Sequence, residues 1–232
     1  MSPGIPRLVI HVVAGAVMDA AGRVLIAQRP PAKHLAGGWE FPGGKLEPGE
    51  ERLAGLAREL QEELGIAIAT PRPLIRVRHA YPSREVLLDV WIVRHYRGEP
   101  RGLDGQALRW CTRDELAEVE LLPADGPIVR AVWLPERLTQ ASSVYYRVGD
   151  SSSLARRTVA DDTQLRGVFC GSAVEAAAAV GEGAEFLVLR NELGCGELAA
   201  LCGTVPVPVF ARGLALDDAW ALGASGLNEI GE

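Results

Sequence analysis

The feature that most restricts the fold of this chain is a helical segment with three carboxylates on one face. Between residues 50 and 64, leucines recur at helical spacing, at Leu53, Leu56, Leu60 and Leu64. Glu59, Glu62 and Glu63 stand at positions i, i+3 and i+4, so a helix brings their charges together. Gly65 follows the last leucine and is typical of a helix end. The sequence therefore predicts one amphipathic helix with a self-repelling acidic cluster.

The acidic cluster predicts a site for a divalent metal ion. Carboxylate oxygens are hard ligands that suit Mg²⁺ or Mn²⁺, and such an ion can bridge to phosphate oxygens and supply a bound water as nucleophile. Arg58, four residues before Glu62, can orient a carboxylate by pairing with it. The glycines of the Gly43-Gly44 loop let backbone approach a metal or a phosphate closely. The alternative is a solvated acidic helix face held by salt bridges, but the shared register of glycines, arginine and leucines favours the metal site.

A longer motif surrounds these carboxylates. The chain reads Gly44, five residues, Glu50, seven residues, and then RELQEELGI over 58–66. This matches every fixed position of the Nudix box, G-x5-E-x7-R-E-u-x-E-E-x-G-u, where u is an aliphatic residue. The run WEFPGGK over 39–45 is similar to the EFPGGK segment of MutT proteins. The chain thus resembles the MutT type of Nudix hydrolase, over roughly residues 5 to 133.

This resemblance implies a fold and a metal site. The expected fold is an α/β (α+β) Nudix sandwich with a mixed sheet between helices. The resemblance assigns catalysis and metal binding to the following residues: Gly43, Arg58, Glu59, Glu62, Glu63 and Asp104. The Gly43 carbonyl and the carboxylates of Glu59 and Glu63 would hold Mg²⁺, or Mn²⁺, and Glu62 would join the cluster. Glu50 and Arg58 would support the helix and the loop.

Asp104 and Asp125 depart from the family pattern. Asp104 stands where the family usually places a glutamate that acts as a distant metal ligand or base. The run Pro123-Ala124-Asp125-Gly126-Pro127 resembles the family's PANEP segment, whose asparagine reads the purine edge. An ionised aspartate accepts hydrogen bonds but donates none, so reading 8-oxoguanine requires backbone donors, a base N–H or a protonated carboxyl. The reaction class survives this change, and the base stays open.

The resemblance also assigns residues to the substrate. They are Arg29, His34, Phe41, Lys45, Arg84 and Asp125. Structural roles are the alternatives for several of them: Arg29 and Arg84 as surface charges, His34 as a loop residue and Phe41 as a core aromatic. The implied reaction is metal-assisted attack of water on a phosphorus of a nucleoside triphosphate, which gives a nucleoside monophosphate and pyrophosphate.

Turn residues and apolar runs predict the remaining elements of the first half. Residues 8–17 and 24–27 indicate a hairpin, while 74–79, 85–96 and 107–111 indicate further strands. Short helices are expected over 114–119 and 124–133. We predict three parts: a Nudix domain over 1–134, a linker over 135–164 with one strand at 144–147, and a small partial βα-barrel-like domain over 165–232.

The C-terminal part alternates strands and helices in a regular order. Its runs over 167–189 and 205–230 resemble the later strands and helices of thiamine-phosphate synthase. The threonine- and lysine-bearing diphosphate loop of that family is absent at 190–196, and its paired glycines are reduced to Gly213 followed by Leu214. The resemblance therefore implies a truncated, inactive remnant that serves packing, dimerisation or substrate shaping.

Composition limits the partners and the compartment. A formal net charge of −6 offers no basic stripe for a nucleic-acid polymer, so the expected partner is a small nucleotide, with a homodimer left open. The sequence shows neither a signal peptide nor about 18 uninterrupted apolar residues, which favours a cytoplasmic protein without membrane contact. Four scattered cysteines indicate neither a zinc site nor a disulfide scaffold.

Three functions compete at this point. The first is a nucleotide-pool sanitising enzyme, a part of DNA repair, that hydrolyses oxidised purine triphosphates such as 8-oxo-dGTP. The second is a Nudix enzyme that hydrolyses a thiamine-pathway diphosphate, suggested by the C-terminal resemblance. The third is a ligand-binding regulator with little turnover, which the complete glutamate set disfavours.

Overall fold

The chain forms two compact units in the computed structural model, which describes residues 9–30, 35–82, 84–139, 146–149 and 165–230. One unit comprises Met1–Pro71 and Val77–Gly126, and the other comprises Arg72–Arg76 and Pro127–Glu232. The predicted boundaries at residues 134 and 164 stay a prediction.

The first unit mixes strands with one long helix, as predicted. Its strands are β1 (Val9–Val17), β2 (Val24–Gln28), β3 (Trp39–Glu40), β4 (Gly43–Lys45), β5 (Ala67–Ala69), the second part of β6 (Arg72–Ala80), β7 (Glu85–Val93), β8 (His95–Arg97) and β9 (Leu108–Cys111). The helices are α1 (Arg52–Leu64), α2 (Arg113–Glu118) and a 3₁₀ turn at Pro123–Asp125. Gly65 ends α1 in the left-handed conformation, with φ of 71°, as its position predicts.

A four-stranded sheet in the order β4-β1-β7-β6 carries the acidic helix. Strands β1 and β7 pair in parallel over nine residues, from Val9 opposite Glu85 to Val17 opposite Val93. Because side chains alternate between the two faces of a strand, the two faces of β1 and β7 differ. One face packs its apolar side chains against the leucines of α1 in a single core, whose buried members are Val13, Val17, Leu25, Leu56, Leu60, Leu64, Ile66, Trp91 and Val93.

The predicted hairpin of the first two strands is wrong. Strand β2 lies in a separate sheet of order β3-β2-β9, in which both pairings are antiparallel. In the described ranges, the strand pairing between the region of β1 and β2 is limited to an isolated antiparallel bridge between Met18 and Val24. The turn at 19–22 therefore leads the chain from one sheet to the next, a step that apolar alternation alone does not reveal.

The second unit contains a six-stranded parallel sheet in the order β10-β15-β14-β13-β12-β11. Its strands are β10 (Arg137–Leu138), β11 (Tyr146–Gly149), β12 (Leu165–Cys170), β13 (Phe186–Leu189), β14 (Val209–Ala211) and β15 (Gly226–Asn228). The helices of this unit are α3 (Gly126–Ala131), α4 (Ala173–Gly181), α5 (Cys195–Thr204) and α6 (Leu216–Ala221). The alternation predicted for 165–232 is confirmed, as a partial barrel-like sheet. Two strands, β10 and β11, lie inside the predicted linker.

Membrane and cysteine features complete the description. Across the ranges described above, no helix has the length and apolar character needed to cross a membrane. The four cysteines are free thiols: Cys111 and Cys170 are buried, Cys202 is half-buried and Cys195 is exposed.

Candidate active site

Two glycines of β4 lie directly against the carboxylates of α1. A Cβ atom added to Gly44 would lie 2.2 Å from Oε2 of Glu59, so only glycine leaves room for that carboxylate. The backbone N–H of Gly43 donates to Oε2 of Glu63 at 3.3 Å. Gly43 itself has φ of 148°, a conformation that side-chain-bearing residues rarely adopt. The strand and the helix thus hold two carboxylates beside exposed backbone, as the sequence predicts.

Arg58 joins the loop before α1 to the carboxylates on it. Its guanidinium donates from Nε and Nη2 to both oxygens of Glu50, at 2.8 and 2.9 Å. Nη1 donates to Glu59 at 2.9 Å and to Glu62 at 3.1 Å, and Nη2 also reaches the carbonyl of Lys45 at 3.1 Å. A two-pronged pair of this kind fixes orientation as well as charge. These hydrogen bonds agree with the supporting role that the resemblance implies for Arg58, and that role stays a prediction.

The pair between Glu50 and Arg58 should make stability depend on pH. Hydrogen bonds from Arg58, and then from the Glu47 backbone N–H, lower the pKa of Glu50 from 4.5 to about 2. Because the pKa falls on folding, this stabilisation is fully present above pH 4.5 and is lost as pH falls from there towards 2. We expect the difference in unfolding free energy between wild type and Glu50→Gln to be constant near neutral pH and to shrink in acid. Urea denaturation across this range measures it, and a gap that widens in acid would contradict the assignment.

A cleft of about 520 Å³ connects these carboxylates with a pocket at the opposite end. Its lining consists of Ile10, Val12, Ala14, Arg29, Leu35, Glu40, Phe41, Gly43, Gly44, Lys45, Glu59, Glu63, Tyr81, Arg84, Val86, Leu88, Leu122, Ala124 and Asp125. The apolar members from β1 and β7 belong to the face that points away from α1. The cleft therefore has a charged end beside α1 and an apolar floor provided by the sheet.

A buried carboxyl lies among the residues that line this cleft. Asp125 is 4% exposed, and burial raises its pKa well above the ordinary value. The charge of Glu40 raises the pKa further, while that of Arg29 lowers it. Arg29 in turn donates from Nη1 to Oε2 of Glu40 at 2.9 Å. Burial thus favours the protonated form of a carboxyl in the lining of the cleft.

Tyr81 is a lining residue that sequence reasoning missed. Its pKa is raised by burial and then by the charge of Asp125, and it has a hydrogen bond with the backbone of Ala124. The guanidinium of Arg84 lies 5.7 Å from the centre of its ring. Glu40, Leu35, Leu122 and the apolar floor were missed as well. The alternation of β1 and β7 is the signal that could have found the floor, because Ile10 and Val12 share a face.

The sequence matches the protein family described as NUDIX domain over residues 13–131, which is just over half of the 232-residue chain. The chain belongs to the Nudix family. The matched range contains all the carboxylates of α1. It ends shortly before the six-stranded sheet begins, so the family assignment covers the cleft lining except Ile10 and Val12 and leaves the six-stranded sheet without an assignment.

Several relatives of this Nudix chain carry names of nucleotide hydrolases. It is 39% identical over 122 residues to the CTP pyrophosphohydrolase of Escherichia coli (strain K12), covering 53% of this chain and 90% of the relative. It is 43% identical over 90 residues to the 8-oxo-dGTP diphosphatase of Proteus vulgaris, covering 39% and 80%. The solved structure of a MutT NUDIX hydrolase from Burkholderia pseudomallei matches with a TM-score of 0.50 and 29% identity, covering 53% and 98%. The chain is thus a Nudix hydrolase that acts on nucleotide diphosphate bonds.

The Nudix fold brings most of the predicted site residues into one place. The cleft lining includes Arg29, Phe41, Gly43, Lys45, Glu59, Glu63, Arg84 and Asp125. Phe41 is also 3% exposed, so it is both a core aromatic and a wall of the cleft. His34 lies outside the described residues. The roles of these residues stay predictions, although their positions agree with them.

Two predicted carboxylates lie outside the cleft lining. The side chain of Glu62 is 61% exposed and pairs with Arg58. Asp104 lies on a loop that is tied to the end of α1, because Leu103 N–H and Gln106 Nε2 both donate to the Glu63 carbonyl, at 3.0 and 3.1 Å. The structure therefore brings the loop of Asp104 to the acidic helix but leaves Asp104 out of the lining.

The donor set suits the divalent metal ions that Nudix hydrolases generally use. Glu59 and Glu63 present carboxylate oxygens on adjoining turns of α1, beside the backbone of Gly43 and Gly44. Within the described ranges, no cluster of three or more histidine, cysteine, aspartate or glutamate side chains has metal-binding geometry. Two carboxylates with backbone and water oxygens still fit Mg²⁺, which usually keeps several waters and takes few protein ligands.

Proposed function

We propose that this Nudix hydrolase cleaves nucleoside triphosphates to a nucleoside monophosphate and pyrophosphate with Mg²⁺, and that 8-oxo-dGTP is its preferred substrate. The observation that carries the proposal is the composition of the cleft. Its glutamates and glycines suit a metal-bound polyphosphate, while its apolar floor and buried polar groups suit a base. The names of the relatives support both parts, since they include an 8-oxo-dGTP diphosphatase and a CTP pyrophosphohydrolase.

In this proposal some residues bind the metal ion and the phosphates, and others hold those residues in position. Glu59, Glu63 and the Gly43 carbonyl would hold Mg²⁺, which when bound polarises the phosphate and lowers the pKa of a coordinated water. Lys45 adds a positive charge at the polyphosphate end of the lining. The oxygen of a water molecule would form a bond to the α- or the β-phosphorus while the bond from that phosphorus to the oxygen bridging the two breaks. The water would release a proton to solvent, and the nucleoside monophosphate and pyrophosphate would separate. Arg58 keeps Glu59 oriented throughout through its 2.9 Å hydrogen bond.

Asp125 is the group that we expect to read the base. A neutral carboxyl offers one O–H donor and one carbonyl acceptor, as an asparagine side chain also does with its amide. That pair complements O6 and N7–H of 8-oxoguanine, and equally N3 and the amino group of cytosine. Burial raises the pKa of Asp125 and so favours its neutral form, and we therefore expect its departure from the family's asparagine to preserve the reading of such an edge.

The Asp125→Asn variant should separate two effects of the carboxyl: its hydrogen bonding to the base, and its effect on the free energy of unfolding. Because the folded-state pKa is raised, the stability linked to this carboxyl is present in acid and is lost as pH rises above its ordinary value of 3.8. We therefore expect the variant to have a higher free energy of unfolding at neutral pH and the same value in strong acid. The kcat/KM for 8-oxo-dGTP should fall at alkaline pH in the wild type and stay flat in the variant. A variant that is less stable at neutral pH would contradict the neutral carboxyl.

A Mg²⁺-dependent release screen tests the proposed function. Pyrophosphate and phosphate are measured with canonical dNTPs, CTP, 8-oxo-dGTP and thiamine-pathway diphosphates. A higher kcat/KM for 8-oxo-dGTP than for dGTP supports sanitising. Preference for CTP retains the reaction and changes the base, whereas hydrolysis confined to a thiamine-pathway compound overturns the proposal.

A further inference from the structure

Leu35 combines an unfavourable backbone with an exposed apolar side chain at the cleft. Its φ is 60°, in the left-handed region that glycine and asparagine occupy at lower cost than leucine. Its side chain is 39% exposed, although large apolar groups are normally buried. It lines the cleft together with Tyr81 and Asp125. Strained residues persist where the surrounding structure imposes them, and they concentrate at binding sites.

Hydrogen bonds to Gln28, at the end of β2, and to Arg29, which follows it, hold the turn that contains Leu35. The N–H of Gly38 donates to the Leu35 carbonyl at 3.2 Å, and the N–H of Gly37 donates to the Arg29 carbonyl at 3.0 Å. The N–H of Arg29 donates back to Gly38 at 2.9 Å, and Nε2 of Gln28 donates to Gly37 at 3.0 Å. The turn that presents Leu35 is therefore tied to the last residue of β2 and to the cleft residue Arg29, which follows that strand.

Leu35 and Leu122 together form an apolar wall. A Cβ atom on Gly38 would lie 2.8 Å from Leu122 Cδ2 and 3.3 Å from the Leu35 carbonyl, so the turn packs closely on Leu122. Both leucines also line a neighbouring cavity of about 760 Å³, whose walls include Trp39 and Arg109. These two leucines thus line both the cleft and the second cavity. Their side chains would limit the size of a base bound in the cleft.

We propose that Leu35 contacts the base of the nucleotide and strengthens substrate binding by packing on it. The inference rests on the proposed function, because it requires a base-bearing substrate in the cleft. An exposed leucine gains from burial when an apolar surface covers it, and the flat face of a base provides such a surface. The unfavourable backbone conformation of Leu35 in the free protein keeps its side chain exposed at the cleft before the nucleotide binds.

Three substitutions at Leu35 separate the contact of its side chain with the base from the strain in its backbone. We expect Leu35→Asn to raise the KM for 8-oxo-dGTP and CTP by about 5- to 10-fold while kcat changes by less than about twofold, because only uniform binding is lost. Leu35→Ala should raise KM similarly, and Leu35→Met should restore it. Leu35→Asn should also equal or exceed the wild type in thermal midpoint, because asparagine tolerates the left-handed backbone.

Thr70 provides the matched control. It is an exposed residue with φ of 45° that lies outside the lining of the cleft. Thr70→Asn should therefore relieve backbone strain, as seen in its thermal midpoint, without any change in KM. Inhibition by inorganic tripolyphosphate, which has no base, should be equal in the wild type and in all Leu35 variants.

Several results would overturn the assignment of Leu35. They are a KM for Leu35→Asn within about twofold of the wild type, a lower thermal midpoint for that variant, or an equal loss of tripolyphosphate inhibition. The proposed function fails separately, if the wild type hydrolyses neither nucleotide. Equilibrium binding of dGMP and CMP to the same variants then decides the role of Leu35.

Discussion

Glu59→Gln should lower Mg²⁺-dependent hydrolysis by at least about 10²–10³-fold while the protein stays folded. The amide that replaces the carboxylate keeps the shape of the side chain but removes its negative charge, so it binds a divalent cation poorly. The amide oxygen can still accept the hydrogen bond from Arg58 Nη1, so the substitution should cost little stability. Initial rates over a range of Mg²⁺ concentrations, with circular dichroism and a thermal midpoint, measure both effects.

Glu51→Gln is the control for this experiment. Glu51 precedes the same helix, is exposed, and makes no side-chain capping hydrogen bond there. The substitution therefore changes the net charge by the same amount without touching the cleft, and activity should remain within about twofold of the wild type. Retained turnover in Glu59→Gln would remove the metal-binding role of that carboxylate.

Gly44→Ala should abolish most activity at little cost in stability, whereas Gly43→Ala should cost stability. The added methyl group at Gly44 meets the Glu59 carboxylate at 2.2 Å, and the end of a glutamate can swing away. That movement displaces a metal ligand by an ångström or more, which we expect to lower kcat/KM by about 10²-fold. At Gly43 the methyl group meets the Val13 carbonyl at 2.1 Å and φ is 148°, so backbone must move. We expect a loss of about 1–3 kcal/mol in unfolding free energy.

Gly196→Ala is the matched control for the two glycine substitutions. Gly196 lies in α5 of the second unit, with no positive φ and nothing within 4 Å of an added Cβ atom. Alanine is the better helix former there by about 0.5–1 kcal/mol, so the variant should be slightly more stable and fully active. A Gly44→Ala enzyme with near-normal kcat/KM would show that Glu59 need not stay beside that backbone.

The acidic helix and its partners could be predicted because their determinants are local. Glu59 and Glu63 share a helix face through spacing alone, and Gly65 ends the helix through its backbone freedom. The base end of the cleft has no such determinant. Tyr81 and Asp125 reach the same cleft only through the tertiary packing of distant segments, so their neighbourhood could not be seen in a linear pattern.

Sheet membership was the main error in the fold. Alternation identified β1 and β2 as strands but could not say that they belong to different sheets. The true neighbours of β1 are β4 and β7, and two apolar strands as far apart as β1 and β7 carry no local sign of their pairing. The resemblance of the C-terminal segment to thiamine-phosphate synthase stays a prediction, although its strands and helices are where the sequence places them.

The parallel pairing of β1 with β7 also sets an order of events during folding. Helix α1 is a local structure, and it can form once residues 52–64 have been made. The floor of the cleft forms only when β1 pairs with β7, which begins at Glu85. Closing the long loop between these two strands is slow. In refolding, helical signal should therefore return before nucleotide binding does. The charged end of the cleft is assembled early from neighbours in the chain, whereas binding of the base requires the later pairing of β1 with β7.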